Sequence, residues 1–203
     1  MILNKDIIGK TYNQFIQYAI HTSDAFLAVV LKNPSPPFCS KRQLTVAKEF
    51  LPSFEPDMTT IERWANREKK ENEQDTIYKT SCAEFIKELD SYLIHQRHNP
   101  IWPSTEILSG SSLYDINVYS TNQSVKELLL RPNSFLSWRF PYFPEDLSFF
   151  RNGYCWVYAS SHEEYIEIFP KNEEEYNILT DMGIEFTDEY KVTPVSELFY
   201  EEY

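Results

Sequence analysis

The densest group of chemically reactive side chains in the sequence lies just after residue 159. Ser160 and Ser161 bring hydroxyls, His162 brings an imidazole, and Glu163 and Glu164 bring carboxylates. A hydroxyl, a base and an acid are the parts of a hydrolytic triad, but triad members converge from separate segments of a chain. Because these five residues are consecutive, the sequence favours an ordinary solvated hairpin loop.

Glu145 and Asp146 form a second pair of carboxylates, directly after Pro144. Adjacent carboxylates seldom point the same way, so their spacing does not predict the paired acids of a glycosidase. Both suit the first turn of a following helix, where negative charge is favoured. If the protein is an enzyme, Asp146, His162 and Glu163 are the first residues to consider, within the segment 145–165.

His95 and His98 are spaced like two metal ligands on one face of a helix. No third ligand is evident, and the cation of Arg97 lies between them. Histidines also interact favourably with the dipole at a helix C-terminus. We therefore expect a solvated helix end and no metal site.

Cys155 and Trp156 lie in an alternating segment, Tyr154–Ala159, that reads as a strand. A free cysteine in a strand is more often packed in a core than reactive. Trp156 would share its face with Tyr154 and Tyr158. Such an aromatic face forms either part of the core, which we favour, or a platform for a partner.

Glycine is scarce, with four residues in 203, and no two of them lie close together. Loops that hold phosphates need closely spaced glycines, so the sequence predicts no nucleotide cofactor, and nothing in it indicates another cofactor. The three cysteines are widely spaced, which favours reduced thiols in the cytoplasm. The beginning of the sequence does not resemble a signal peptide.

The net charge of −12 is concentrated near the end of the sequence. Residues 1–160 carry 18 acids and 17 bases, whereas residues 161–203 carry 13 acids and only Lys171 and Lys191. An acidic end repels nucleic acid and anionic membranes and attracts a basic protein. The residues expected to bind such a partner are His162, Glu163, Glu164, Glu173, Glu174, Glu175 and Trp156.

The spacing of apolar residues predicts a mixture of helices and strands. A stripe from Tyr12 to Ile20, capped by Thr11, predicts a first helix, and Ala25–Lys32 reads as a buried strand. Residues 154–159 and 165–169 predict a β-hairpin. Asn172 should cap a short helix, Glu173–Met182, that Gly183 ends. The expected fold is a single α+β domain in which a small, mainly antiparallel sheet packs against several helices.

We expect the domain to span residues 1–203, with two peripheral parts. Residues 53–80 are highly charged and predict a helical insertion, and residues 187–203 predict an acidic tail. The longest apolar run, Ala25–Leu31, is far shorter than a membrane-spanning helix requires.

Three stretches resemble a group of uncharacterised proteins from Firmicutes that are often labelled stage III sporulation protein AH-like. They are Ser23–Leu27, Trp102–Thr105, and Pro144–Tyr158 together with Ser161–Glu164. The third stretch carries most of the resemblance, which extends over more than half of the chain. It supplies no catalytic residues.

Two hypotheses about function follow from these observations. The favoured one is an acidic binding or inhibitory protein, such as an immunity-type protein that neutralises a basic toxin. The alternative is an enzyme of unknown reaction whose site lies in the segment 145–165.

Overall fold

A six-stranded antiparallel sheet forms the centre of the fold, and helices pack against one of its faces. The computed structural model describes residues 1–3, 5–31, 38–98, 101–103, 105–106 and 114–190. The sheet has the order β2-β5-β1-β6-β7-β8 and a separate two-stranded ribbon has the order β3-β4. The strands are β1 (Ala25–Leu31), β2 (Leu93–His98), β3 (Ile101–Trp102), β4 (Thr105–Glu106), β5 (Tyr114–Ser120), β6 (Glu145–Arg151), β7 (Tyr154–Ser160) and β8 (Tyr165–Ile168). The α+β prediction is confirmed.

Six α-helices accompany the sheet in the described part of the chain. They are α1 (Gly9–Thr22), α2 (Ser40–Phe50), α3 (Met58–Ile77), α4 (Ala83–Leu89), α5 (Lys126–Leu130) and α6 (Glu173–Asp181). A π-helical turn joins α3 to α4, and short 3₁₀ turns follow α4 and precede α5. Within these described segments, no helix is both long and apolar enough to cross a lipid bilayer.

Strand β1 is apolar throughout because both faces of the sheet are buried at its centre. Phe26 and Ala28 belong to the core on the helix side, whereas Leu27 and Val29 belong to a second cluster on the opposite face. That second cluster also includes the indole of Trp102 from β3. The prediction of a buried strand here is confirmed.

Helix α1 buries the stripe that its sequence predicts, and these side chains form the middle of the helix-side core. The helix nevertheless begins at Gly9, so Thr11 lies inside its first turn and does not cap it. The residues of the buried stripe are Tyr12, Phe15, Ile16, Ala19 and Ile20.

Strand β6 corrects the expectation that Glu145 and Asp146 begin a helical turn. Both residues lie in a strand that pairs with β1 on one side and β7 on the other. The following side chains are divided between the two cores: Phe149 faces the helices, and Phe150 faces the second cluster. Burial on both faces favours a strand and leaves no polar side for a helix.

A second correction concerns the segment that carries His95 and His98. The predicted helix ends at Leu89, and residues 93–98 form the edge strand β2, which pairs with β5. Phe85, Leu89 and Leu93 are spaced as on one face of a helix, but pairing of residues 93–98 with an existing strand outweighs that preference. The two histidines therefore do not lie at a helix end.

Helices α2 and α3 form a pair that buries no side chain. The apolar residues of α2 are therefore not part of a core, and Phe50 is 86% exposed. Helix α3 begins at Met58, where Asp57 accepts a hydrogen bond from the amide of Thr60 at 2.7 Å. Its exposed, charged character agrees with the sequence, while its status as an insertion stays a prediction.

Candidate functional site

The loop between β7 and β8, residues 161–164, is anchored by a buried aspartate. Asp146 Oδ1 accepts a hydrogen bond from the amide of Ser161 at 2.8 Å, and its Oδ2 accepts one from the indole of Trp102, also at 2.8 Å. The hydroxyl of Ser161 in turn donates to the carbonyl of Trp138 at 2.8 Å. Asp146 and Ser161 are thus buried and structurally engaged, which holds the loop in place.

His162 follows this anchor and lies beside Glu145. Its Nε2 is 3.0 Å from Glu145 Oε1, and the imidazole is 60% exposed whereas the glutamate is mostly buried. An imidazole paired with a carboxylate can accept and return a proton. Glu163 and Glu164, the next residues of the loop, point into solvent. The structure therefore places His162 near Glu145 and separates it from the side chain of Ser161.

His95 and His98 do not converge on a common site. Residues three apart on a strand point to opposite faces, so their imidazoles cannot bind one metal. His98 Nδ1 is 2.5 Å from Asp115 Oδ1 on the neighbouring strand, and Arg97 donates a hydrogen bond to His95 Nε2 at 2.8 Å. The described residues contain no group of three His, Cys, Asp or Glu side chains arranged to hold a metal.

A β-bulge moves Trp156 away from the predicted aromatic face. Cys155 pairs with Phe150 and Val157 pairs with Phe149, so Trp156 is the extra residue on its strand. Its side chain is only 2% exposed and lies in the helix-side core, while Tyr158 packs against the second cluster. Trp156 thus has almost no surface to offer a partner.

The indole of Trp156 is held by both polar and aromatic contacts. Its N–H donates to Ser23 Oγ at 2.8 Å, and the rings of Phe15 and Tyr18 pack around it. The guanidinium of Arg151 lies 3.6 Å from the ring centroid. The neighbouring Cys155 is fully buried, as predicted, and burial raises the pKa of its thiol.

Glu175 is buried in an ion pair and does not contribute to the acidic surface. Its carboxylate accepts two hydrogen bonds from Arg151, at 2.5 and 2.9 Å, and further ones from Tyr18 and from the amide of Lys171. Burial alone would raise the pKa of Glu175, but these hydrogen bonds, that of Arg151 foremost, hold it below its usual value. The charge of Glu175 is therefore neutralised within the fold.

The exposed carboxylates of α6 and of the segment that packs against it form a group that we call the α6 acidic surface. The ring of Tyr176 packs against the tilted rings of Phe186 and Tyr190, with centroids 4.9 and 5.5 Å away, so the segment 186–190 contacts the helix. No basic residue occurs between positions 172 and 190. Glu185 pairs with Lys5 at 2.6 Å. The α6 acidic surface consists of the exposed residues Glu173, Glu174, Asp181, Asp188 and Glu189.

The predicted partner-binding residues are divided between two ends of the sheet. His162, Glu163 and Glu164 lie in the loop after β7, whereas Glu173 and Glu174 follow β8 at its other end. Glu175 contacts Arg151, at the opposite end of β7 from the loop, and a strand of that length spans about 20 Å. The α6 acidic surface and the β7–β8 loop are thus separate surfaces. The predicted tail beyond residue 190 lies outside the described residues.

Sequence reasoning missed the contacts that organise these surfaces. The hydrogen bond between Asp146 and Trp102 joins residues that are 44 positions apart in the sequence, so no local sequence pattern indicates it. The inward orientation of Glu175 could have been predicted from the sequence. Asn172 and Glu175 have the spacing of a capping box, in which the glutamate turns back toward the start of the helix. Here Asn172 accepts from the amide of Glu175 at 2.9 Å, and the carboxylate turns inward to Arg151.

Comparisons of this chain with protein-family models, with curated proteins and with solved structures found no match.

Proposed function

We propose that this is a cytoplasmic, acidic binding protein of the immunity type, which engages a basic protein partner through the α6 acidic surface. The supporting observation is that five exposed carboxylates share this surface and that no basic residue lies between positions 172 and 190. The two other carboxylates in that range, Glu175 and Glu185, already have basic partners.

A surface of one charge sign acts mainly on the rate and specificity of encounter. Like charges repel nucleic acid and anionic lipid, whereas a basic protein is attracted over a distance that salt shortens. Aromatic side chains at the same place, Tyr176 and Tyr190, are partly exposed and could supply contact area next to the carboxylates. A complex formed in this way weakens steeply as the ionic strength rises.

The experiment is co-purification of the tagged protein from its native cells at low salt, followed by mass spectrometry. One variant neutralises four of the five carboxylates of the surface, with Glu173→Gln, Glu174→Gln, Asp188→Asn and Glu189→Gln. The matched control neutralises the β7–β8 loop instead, with Glu163→Gln and Glu164→Gln. We expect the natural protein and the loop variant to retain a stoichiometric basic protein, and the surface variant to lose it.

Three outcomes would contradict this proposal. Recovery of no stoichiometric partner at low salt would remove its basis. Equal recovery by the surface variant would show that the partner binds elsewhere, and loss with the loop variant alone would move the binding site to the other end of the sheet.

A second candidate function is an enzyme whose site contains His162. It is favoured by the 3.0 Å contact between His162 Nε2 and Glu145 Oε1 and by the hydrogen bond with which Asp146 anchors the loop next to them. In such a site Glu145 would orient the imidazole, and His162 would transfer the proton. The test is complementation of a strain that lacks the gene. If the His162→Ala protein restores every phenotype as fully as the natural protein does, this candidate is to be abandoned.

A further inference from the structure

A cleft of about 690 Å³ opens between the N-terminal segment, residues 132–143 and the β7–β8 loop. It shares no residue with the α6 acidic surface, although its Lys5 pairs with Glu185 in the neighbouring segment, and its volume is in the range of small-molecule sites. The polar residues that line it include Lys5, Ser134, Ser137, Arg139, Tyr142 and Glu164. The question is which chemical group these side chains would bind.

Arg139 brings an unused cation to the cleft. Its side chain is exposed, and the guanidinium makes no hydrogen bond, ion pair or ring contact with any residue that the structure describes. A guanidinium presents several N–H donors in a planar fork that fits a carboxylate or a phosphate. Lys5 adds a second cation, whose ion pair with Glu185 is more than half exposed on both sides and therefore weak.

The two serines of the cleft provide one further hydrogen-bond donor, a hydroxyl group. Ser134 Oγ and Ser137 Oγ are 2.6 Å apart, and Ser134 Oγ also accepts the amide of Ser137 at 3.1 Å. The contact between the hydroxyls uses one of their two protons. In the described part of the chain the other proton has no acceptor, so it is available to a ligand.

Two carboxylates, those of Asp6 and Glu164, also line the cleft and oppose the charge of its cations. Asp6 Oδ1 accepts a hydrogen bond from the amide of Leu136 at 3.0 Å, which fixes the 132–143 segment. Glu164 is exposed and forms no ion pair with a described residue. Tyr142, 55% exposed, adds an aromatic ring to the wall. The cleft therefore combines unused donors with a flat apolar surface.

We propose that this cleft binds a small organic anion, with its carboxylate or phosphate on Arg139 and the serine hydroxyl and its body against Tyr142. Arg139 and the two serines line the same cleft and offer donors to a group that only accepts hydrogen bonds, which is the property that carboxylates and phosphates share. Glu164 is the exposed opposing charge of the site, whereas the carboxylate of Asp6 is partly buried and accepts the amide of Leu136. This inference is independent of the proposed partner binding, because none of its residues belongs to the α6 acidic surface.

The test is a titration of the ¹⁵N-labelled protein with phenyl phosphate, with benzoate, and with neutral benzyl alcohol, followed by amide chemical shifts. We expect saturable shifts within residues 134–143 for at least one anion and none for the alcohol. Comparison of the two anions separates a phosphate site from a carboxylate site. The substitution Arg139→Gln should weaken binding by about tenfold or more.

Two further variants complete the test. Glu164→Gln removes the opposing charge and should strengthen binding by about twofold. Arg42→Gln, at an exposed position on α2 outside the cleft, should leave the affinity unchanged. The proposal is overturned if neither anion gives saturable shifts in residues 134–143, or if a folded Arg139→Gln protein binds as tightly as the natural one.

Discussion

Arg151 and Glu175 form a bidentate ion pair that joins three parts of the fold. The guanidinium lies at the end of β6 and donates to both carboxylate oxygens of Glu175, in the first turn of α6. It also donates to the backbone carbonyl of Thr22, the last residue of α1, at 3.1 Å. The ion pair between Arg151 and Glu175 therefore positions α6, and with it the α6 acidic surface, against the sheet.

Replacement of Glu175 by glutamine should destabilise the protein by about 3 kcal/mol, because a nearly buried arginine loses its charged partner. The amide nitrogen of glutamine would also face the donors of Arg151 and Lys171. Chemical denaturation measures the change. The matched control is Glu174→Gln, the same substitution at the exposed neighbour, which should change the free energy of unfolding by less than about 0.5 kcal/mol. Equal effects of the two substitutions would contradict the role of the ion pair.

The same pair predicts a loss of stability in acid. The pKa of Glu175 is lower in the folded protein than its ordinary value of 4.5, so its contribution is complete above that value and declines as the pH falls through the folded pKa. The difference in free energy of unfolding between the natural protein and Glu175→Gln should therefore shrink between about pH 6 and about pH 3. A difference that stays constant over this range would show that Glu175 is not held as a carboxylate.

Asp146 should be required for the anchoring of the β7–β8 loop. Asp146→Asn retains only one acceptor oxygen for two donors, the amide of Ser161 and the indole of Trp102, and we expect a loss of about 2 kcal/mol. The backbone of Asp146 has φ 55°, which asparagine also tolerates, so the substitution adds no backbone strain to the measured free energy of unfolding. Asp181→Asn, on the exposed side of α6, is the control and should have little effect on denaturation.

The three cysteines should differ strongly in reactivity. Burial raises the pKa of Cys82 to about 12, and it also raises the pKa of the Cys155 thiol, whereas Cys39 is partly exposed. Because only thiolates are alkylated, iodoacetamide should modify Cys39 at least about a hundredfold faster than the other two. Peptide mass spectrometry follows each site over time. Rapid modification of Cys155 in the folded protein would contradict its place in the core.

The predictions that succeeded depend on local patterns. The apolar stripe of α1, the apolar run of β1 and the cap of α6 by Asn172 each lie within a few neighbouring residues, and each matches the structure. The failures occurred where distant residues compete for a segment. Pairing with β5 makes residues 93–98 a strand, and pairing on both sides does the same for residues 145–151.

The candidate sites show the same division. The sequence alone established that the carboxylates are concentrated after residue 160 and that His162 lies in a hairpin loop, because charge and turn signals can be counted along the chain. Only the tertiary structure decided that Glu175 is buried on Arg151, that Trp156 faces the helices, and that His162 lies beside Glu145. The physical reason is that burial and ion pairing depend on which segments meet across the sheet, and a one-residue bulge changes the face on which a side chain lies.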